Sequence, residues 1–260
     1  MSVGLMGSDV VKVGVDGAIG QIALARPSKL NAINRDLALG LLRALKGLNE
    51  DPECKVIVLY GEGKAFCSGD DLQELGHGPE VFDLISEAVG VIQDITREIM
   101  LNDKPVICAV QGWAIGAGFS WVLNADISIC AGDARAFLPE IKYGVYATGA
   151  ATFLLSHRVG SAKALEMMVR NKKYTAQELY DMGLVSEIVE PGQVLETAFQ
   201  IAEDIQKHSS KALENIKHGV LFSVRDQIEA ALNFEAQKCE DAIREVLGSQ
   251  EIKSKTAKFK

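Results

Sequence analysis

Residues 106–118 read VICAVQGWAIGAG. The first five residues form an uninterrupted apolar run, which is typical of a strand buried on both faces of a parallel sheet. Gly112, Gly116 and Gly118 then predict a tight turn that opens a helix through Leu123, because glycine permits close backbone approach. A buried strand, a Gly-rich turn and a helix in this order place ligands beyond the carboxyl end of the strand.

The same order occurs upstream, where residues 56–72 read VIVLYGEGKAFCSGDDL. A third apolar run at 127–130 is also typical of a buried strand. Residues 10–24 predict two short strands joined at Asp16-Gly17, because Asp-Gly is a strong hairpin signal. Helical spacing of apolar residues fills 37–48 and 81–100. The alternation of strands and helices predicts an α/β fold with parallel strands.

The character of the chain changes after Gly160, where helical patterns dominate. Thr175 to Glu178 read TAQE, a capping box that opens a helix, and amphipathic helices are predicted at 195–208 and 228–246. We therefore divide the chain into an α/β core at 1–190 and a helical region at 191–260.

The two Gly-rich loops are the best candidates for chemistry. Each leads from a buried strand into a helix N-terminus, which offers unpaired N–H donors and a positive dipole end. Two such loops could aim two N–H groups at one oxygen, although purely structural turns remain an alternative. The sequence contains no GxGxxG, no GxxxxGK[ST] and no GxSxG, which disfavours nucleotide-phosphate cradles and a serine hydrolase of that type.

Composition excludes several classes of function. The net charge of −8 disfavours nucleic acid as a partner, because an acidic surface repels phosphates. The five cysteines lack CxxC spacing and suit a reducing compartment, and the four histidines form no ligand pair, so we expect no metal site. No apolar run approaches the roughly 20 residues that span a bilayer. We expect no membrane association and a cytoplasmic protein.

Four segments resemble the enoyl-CoA hydratase/isomerase (crotonase) superfamily in order and spacing. Residues 66–72, FCSGDDL, resemble its FxAGADL segment, and residues 111–118, QGWAIGAG, resemble its NGxAxGGG segment. Residues 26–32, RPSKLNA, resemble RPxxxNA, and residues 175–185 resemble AxEA…GLV. Together these matches cover nearly the whole chain.

The resemblance implies a spiral of ββα turns with a helical C-terminal region that trimerises. It implies an acyl-CoA site in the 1–190 core, where the backbone N–H groups of Asp70 and Ala117 hold the thioester oxygen. Ser68, Asp71 and Leu72 would line the CoA site. Coenzyme A thioester would be the substrate, with no permanently bound cofactor, and the assembly would be a homotrimer or hexamer.

Asp70 departs from the family pattern, because its carboxylate adds negative charge near a polyanionic substrate. That charge is unfavourable unless the side chain points away or meets a cation.

Hydratases of this family carry two catalytic glutamates, and this chain matches one of them. Glu140, in Leu138-Pro139-Glu140, matches the later glutamate, whereas Ser120 stands at the position of the earlier one. Glu140 could deprotonate water and return a proton, or move a proton between carbons. Ser120 could position water or a hydroxyl, and its alternative is a small helix residue that bonds back to the turn.

Three functions remain open at this point. The first is addition or removal of water at a 2-enoyl-CoA, with retro-aldol cleavage as a variant, because hydroxycinnamoyl-CoA hydratase-lyases also read Gly-Phe-Ser here. The second is an enoyl-CoA isomerase with Glu140 as sole proton carrier. The third is a non-catalytic binding protein of the same fold. Tyr143 and Tyr146 could line the acyl pocket or belong to the core, and the acyl group cannot be read from the chain.

Overall fold

The computed structural model describes residues 9–71 and 81–257. Its strands are β1 (Val11–Asp16), β2 (Ile19–Leu24), β3 (Val56–Gly61), β4 (Val106–Val110), β5 (Trp113–Ile115), β6 (Ile127–Ala131), β7 (Arg135–Phe137), β8 (Tyr174–Thr175) and β9 (Glu187–Val189). Its helices are α1 (Arg35–Glu50), α2 (Val81–Met100), α3 (Ala117–Asn124), α4 (Ala151–Val159), α5 (Ser161–Arg170), α6 (Ala176–Asp181), α7 (Val194–Gln206), α8 (Ser210–Leu221) and α9 (Arg225–Ala257).

The strands form two sheets. The larger sheet has the order β1-β2-β3-β4-β6-β9, and all its neighbours are parallel except the β1–β2 hairpin. The smaller sheet has the order β5-β7-β8, and an isolated parallel bridge between Cys67 and Ala114 extends it. After β4 and after β6 the chain therefore crosses from the larger sheet to the smaller one before its next helix, which confirms the predicted spiral of ββα turns.

Burial of leucines on one face fixes α1 against the sheet. The Asn34 side chain accepts a hydrogen bond from the Leu37 N–H and caps the helix. Leu37, Leu41, Leu45 and Leu48 are fully buried, and each contributes about 1.5–3 kcal/mol of hydrophobic stabilisation. β3 and β4 lie at the centre of the sheet and are apolar throughout, as expected for strands covered on both faces.

The predicted elements are largely confirmed, with specific differences. The hairpin around Asp16-Gly17, the capping box at Thr175 and helix α2 occur as expected. The Gly-rich turn after β4 contains a short strand, β5, that the sequence did not reveal, and α8 was likewise not predicted. The strand predicted from residue 185 begins only at Glu187.

The C-terminal helices pack on the α/β layers. Helix α7 contacts β3, β4 and β6, whereas α9 contacts α2 and α4. Within residues 9–71 and 81–257, no helix is both long enough and apolar enough to cross a membrane.

Candidate active site

The loop after β3 is held as an extra strand between two neighbours. The Cys67 N–H donates to Trp113 O at 3.0 Å, and the Ile115 N–H donates to Cys67 O at 2.9 Å. On the other side, the Ile33 N–H donates to Gly69 O and the Asp71 N–H donates to Ile33 O, both at 2.8 Å. Since the residues on either side of Asp70 make these bonds to residue 33, the N–H of Asp70 faces away from it.

A buried asparagine supports this loop from below. The side chain of Asn31 is fully buried and donates to Ala65 O at 2.8 Å and to Glu62 O at 2.9 Å. Its Oδ1 accepts from the Arg26 N–H at 2.9 Å. The RPSKLNA segment thus fixes the loop through side-chain bonds to backbone groups, which explains why an asparagine is needed there.

The second loop presents the N-terminus of α3. Gly116 has φ 56° and its N–H donates to Phe137 O at 3.0 Å. Ala117 is the first residue of α3, and no side chain caps this end. Its N–H therefore belongs to the donors that a helix leaves without an internal partner.

Glycines let the two loops touch. A Cβ at Gly118 would lie 2.7 Å from Cβ of Cys67, and a Cβ at Gly69, which has φ 81°, would lie 2.9 Å from Ile115 O. The loops therefore lie against each other over residues 67–69 and 115–118. This contact places the N–H groups of Asp70 and Ala117 at the same end of the smaller sheet.

Glu140 lies beside these donors. It begins a short 3-10 turn directly after β7, and its Oε1 would be 3.1 Å from a Cβ at Gly116, the residue before Ala117. Its Oε2 is buried and has no hydrogen-bond partner among the described residues. Burial raises the pKa of Glu140 to about 7, against its own backbone N–H, which lowers it. The charges of Asp70 and Glu235 make smaller contributions to this raised pKa.

Asp70 brings a second carboxylate to this site. The residue is exposed, and the protein atoms around its carboxylate reduce hydration of the charged form, which raises its pKa to about 6. Its own backbone N–H acts in the opposite direction. The side chain lines a cavity between α1 and α2 with apolar walls that include Ile33, Leu39, Val91 and Ile92.

Ser120 is turned away from the cleft. It is 1% exposed, and its hydroxyl donates to Thr148 O at 2.9 Å. A Cβ at Gly149 would lie 3.0 Å from Cβ of Ser120, so the helix and the 148–150 loop are in close contact. The hydroxyl therefore holds this loop, and its predicted catalytic role remains a prediction.

Other buried polar groups, which sequence reasoning missed, hold the same loop. The Gly149 N–H donates to Gln93 Oε1 at 3.0 Å, and Asn124 Nδ2 donates to Gly149 O at 2.8 Å. Glu235 of α9 accepts from the N–H of Ala150 at 2.7 Å and of Thr152 at 2.9 Å, and from the Thr152 hydroxyl at 2.6 Å. Four separate parts of the chain thus fix one wall of the site.

The predicted CoA-lining residues occupy different environments. Asp71 is 8% exposed and its Oδ2 accepts from Nη1 and Nη2 of Arg26, both at 3.1 Å. This carboxylate is committed to an ion pair that ties the loop to the 26–32 segment. Ser68 is partly exposed near Lys29 O, at 3.4 Å. Leu72 lies outside the described residues.

Away from this site, Asp103, Glu214 and His218 each place one potential ligand atom within 4.8 Å of the others. His218 Nε2 lies 2.9 Å from Asp103 Oδ1, and all three residues are at least partly exposed. The five cysteines are buried and free.

Comparison with known proteins gives consistent relatives. The family described as Enoyl-CoA hydratase/isomerase matches residues 14–256. A hydroxycinnamoyl-CoA hydratase-lyase of Pseudomonas fluorescens is 31% identical, covering 80% of this chain and 77% of that protein. A short-chain-enoyl-CoA hydratase of Clostridium acetobutylicum is 30% identical, covering 85% of both chains. An enoyl-CoA hydratase/isomerase structure from Mycobacterium paratuberculosis has a TM-score of 0.84 at 25% identity, covering 94% of this chain and 99% of that one.

Proposed function

The chain belongs to the enoyl-CoA hydratase/isomerase family, and from this premise we propose that Glu140 and the N–H groups of Asp70 and Ala117 carry its chemistry. It is an enzyme of the hydratase, lyase or isomerase type, and its activity is of the enoyl-CoA hydratase type. The proposed reaction adds water to a 2-enoyl-CoA or removes it from the 3-hydroxy product. The CoA thioester is the substrate, and no resident cofactor takes part.

The observation that carries this proposal is the unsatisfied Oε2 of Glu140. A buried oxygen without a partner costs free energy, so its presence beside two backbone donors requires a reason. Burial raises the pKa of Glu140 to about 7. A carboxyl group with such a pKa exchanges protons readily near neutral pH. Glu140 would take a proton from water as the oxygen attacks C3, and would return a proton in the reverse reaction.

The two N–H groups would stabilise the negative charge that the reaction builds on the thioester oxygen. Attack at C3 builds negative charge on the thioester oxygen, and fixed donors aimed at that oxygen stabilise this charge more than the ground state. Each such donor contributes about 3–4 kcal/mol in well-studied cases. Both donors belong to the backbone, so the side chains of Asp70 and Ala117 are not required for the hole.

For the remaining predicted residues we propose roles that follow their contacts. Ser120 would act as a positioning residue, because its hydroxyl is engaged with Thr148 O. Asp71 would shape the site through its ion pair with Arg26. Ser68 would line the CoA site, and for Leu72 the same role is proposed from the sequence resemblance alone.

Homotrimer or hexamer assembly remains part of the proposal. Its support is the apolar surface of the C-terminal helices, where Ile216 is 66% exposed, Val220 74% and Phe222 86%. Apolar side chains grouped in this way usually mark an interaction surface. Light scattering coupled to gel filtration measures the mass directly, and a monomer at micromolar concentration would contradict the assembly. A cytoplasmic location also remains a proposal.

A second candidate function has an observation of its own. The relative named hydroxycinnamoyl-CoA hydratase-lyase favours hydration followed by retro-aldol cleavage, which agrees with the Gly118-Phe119-Ser120 match in the sequence. Cleavage would release an aldehyde and a shortened acyl-CoA. Isomerisation with Glu140 as the sole proton carrier is the remaining alternative within the family.

One experiment separates these reactions. The wild type and Glu140→Gln are incubated with 2-enoyl- and 3-enoyl-CoAs, aliphatic and aryl, and the products are analysed by mass spectrometry. Gain of one water supports the hydratase, release of an aldehyde the hydratase-lyase, and a moved double bond at unchanged mass the isomerase. In the first two cases we expect Glu140→Gln to lose the activity.

The matched control is Glu62→Gln, which removes a partly exposed carboxylate that pairs with Lys12; Glu62 lies on the loop after β3, and its replacement should leave activity unchanged. Lack of turnover of any thioester by the wild type would contradict the proposed reaction. Full activity of Glu140→Gln would contradict the role of this residue.

A further inference from the structure

We propose that the Asp70 side chain is the second catalytic carboxyl of this site, donating a proton to C2 while Glu140 takes one from water. The inference rests on the proposed hydration and deepens it. Hydration needs both a base for water and an acid for C2, and Ser120 offers neither because its hydroxyl is buried against Thr148 O. Without a second acid, Glu140 would have to perform both tasks in turn, whereas another carboxyl in the site would divide them.

The position of Asp70 brings its carboxyl near the reacting carbons. If its N–H binds the thioester oxygen, the side chain on the same residue lies close to the carbonyl carbon and to C2, which is bonded to that carbon. The side chain lines the cavity between α1 and α2. Within residues 9–71 and 81–257, no hydrogen bond or ion pair with another residue engages its carboxylate. Carboxyl groups that line a cavity and have a raised pKa are concentrated at functional sites.

Asp70 and Glu140 approach the same turn, because the Asp70 loop contacts residues 115–118 and Glu140 Oε1 would lie 3.1 Å from a Cβ at Gly116. The charge of Asp70 raises the pKa of Glu140. Burial raises the pKa of the Cys239 thiol to about 11, and the charges of both Asp70 and Glu140 raise it further. Cys239 packs in a small buried cluster with Val89 and Ile243, against which Tyr146 packs. The two carboxyls therefore flank one region of the cleft, with α9 behind it.

Substrate binding would favour the protonated form of Asp70. In the free protein the N–H of Asp70 lowers the pKa of its own carboxyl. A thioester oxygen that takes this N–H removes that stabilisation of the charged form, and negative charge developing on the same oxygen raises the pKa again. The step requires that these effects together raise the pKa of Asp70 above that of Glu140, which is about 7 in the free protein, so that Asp70 holds the proton until C2 accepts it.

Other charged or titratable groups surround Asp70 in the described part of the chain. The groups on the cavity side form two ion pairs. The groups on the cleft side are Glu140 and Cys239. The cavity-side pairs are Arg35 with Glu87 and Arg26 with Asp71. Both cations are thus paired with other carboxylates, and neither forms a salt bridge to Asp70.

The proton balance of the step closes without another reactant. Glu140 removes one proton from water, and the oxygen forms a bond to C3 as the C2–C3 double bond shifts its electron pair toward the thioester oxygen. The enolate then takes the proton of Asp70 at C2. Glu140 ends protonated and Asp70 ionised, and exchange with solvent restores the starting state.

The test compares Asp70→Ala, Asp70→Asn and Asp70→Glu in hydration of a 2-enoyl-CoA that the wild type converts. We expect Asp70→Ala and Asp70→Asn to lower kcat by about 10²-fold, the low end of general-acid contributions, with KM changed only a few-fold. The wild-type kcat should fall at high pH as Asp70 ionises, and this fall should be absent from the residual activity of both variants. Asp70→Glu should recover part of the rate and the high-pH fall.

Glu62→Gln serves as the control for loss of a nearby carboxylate. Its dependence of kcat on pH should match that of the wild type at both low and high pH. Alanine occupies the matching position in the FxAGADL pattern, so Asp70→Ala keeps the backbone hole and is expected to fold. The role of Asp70 would be overturned if Asp70→Ala kept the wild-type kcat and the fall of activity at high pH while Glu140→Gln was inactive. The proposed function would then still stand. If the wild type hydrates no enoyl-CoA, the proposed function and this inference both fail.

Discussion

Glu140 and Glu235 are two enclosed carboxylates with the same pKa and opposite surroundings. Burial raises the pKa of each to about 7. Glu235 is fully buried and accepts three hydrogen bonds at the start of α4, whereas Glu140 keeps one buried oxygen without a partner in the described chain. A raised pKa therefore does not identify a catalytic residue by itself. Our proposal for Glu140 rests instead on its unsatisfied oxygen and its position next to Gly116 at the start of α3.

The largest expected effect is on the rate of Glu140→Gln. The amide cannot accept a proton from water, so kcat should fall by about 10²–10⁴-fold, the usual contribution of a general base. The melting temperature should stay the same or rise, because an unsatisfied buried oxygen is replaced by a neutral amide. Steady-state kinetics and thermal melts check both expectations. Loss of stability together with activity would make Glu140 a structural residue like Glu235.

The second effect is on the stability of Glu235→Gln. The amide retains one acceptor oxygen but turns an NH2 group toward N–H donors of the 148–152 segment, so at least one buried donor loses its partner. We expect a loss of about 2 kcal/mol, within the range for an unsatisfied buried group, or roughly 4–8 °C in melting temperature. Calorimetry measures this loss. An unchanged melting temperature would show that the cap of α4 is dispensable.

The surviving activity of Glu235→Gln sharpens the comparison further. The charge of Glu235 raises the pKa of Glu140, so its removal should lower that pKa. The acid limb of the pH–activity profile, where Glu140 becomes protonated, should then move to lower pH. A limb that stays in place would mean that the two carboxylates do not interact.

The two carboxylates should also give stability a common pH dependence. Each pKa is raised from 4.5 to about 7 in the folded chain, so the folded state binds more protons than the unfolded state between these values. The free energy of unfolding should therefore fall as pH rises from about 4.5 to 7. Glu140→Gln and Glu235→Gln should each flatten this fall in melts at pH 5, 6 and 7. A slope of opposite sign in the wild type would contradict both pKa shifts.

How far the sequence predicts this molecule depends on the range of the interactions involved. Local patterns suffice for β3, β4 and the capping box at Thr175, because apolar runs and cap residues act within a few positions. The sequence does not predict β5, because these three residues inside a Gly-rich turn become a strand only by pairing with Cys67 and β7. The larger sheet follows from the sequence, and the smaller one does not.

The site shows the same division. Glu140 and the N–H groups of Asp70 and Ala117 are predicted from short segments that resemble the family, and the two loops that carry the donors lie in contact. Glu235 lies on a long polar helix where nothing local distinguishes it, and its partners are more than 80 residues away. The commitment of Asp71 to Arg26 depends on the contact between two segments 45 residues apart. Such groups cannot be assigned from sequence without the fold.

The smallest effect separates positioning from proton transfer at Ser120. Replacement by alanine removes the hydrogen bond to Thr148 O, which is worth about 1 kcal/mol, and leaves Gln93, Asn124 and Glu235 to hold the loop. Since no proton passes through the hydroxyl in the proposed reaction, kcat of Ser120→Ala should fall only a few-fold, with both limbs of the pH profile unchanged. A loss near that of Glu140→Gln would instead make Ser120 a catalytic group. The distinction between the residues that hold the 148–150 loop and the proposed reactive carboxyls would then no longer hold.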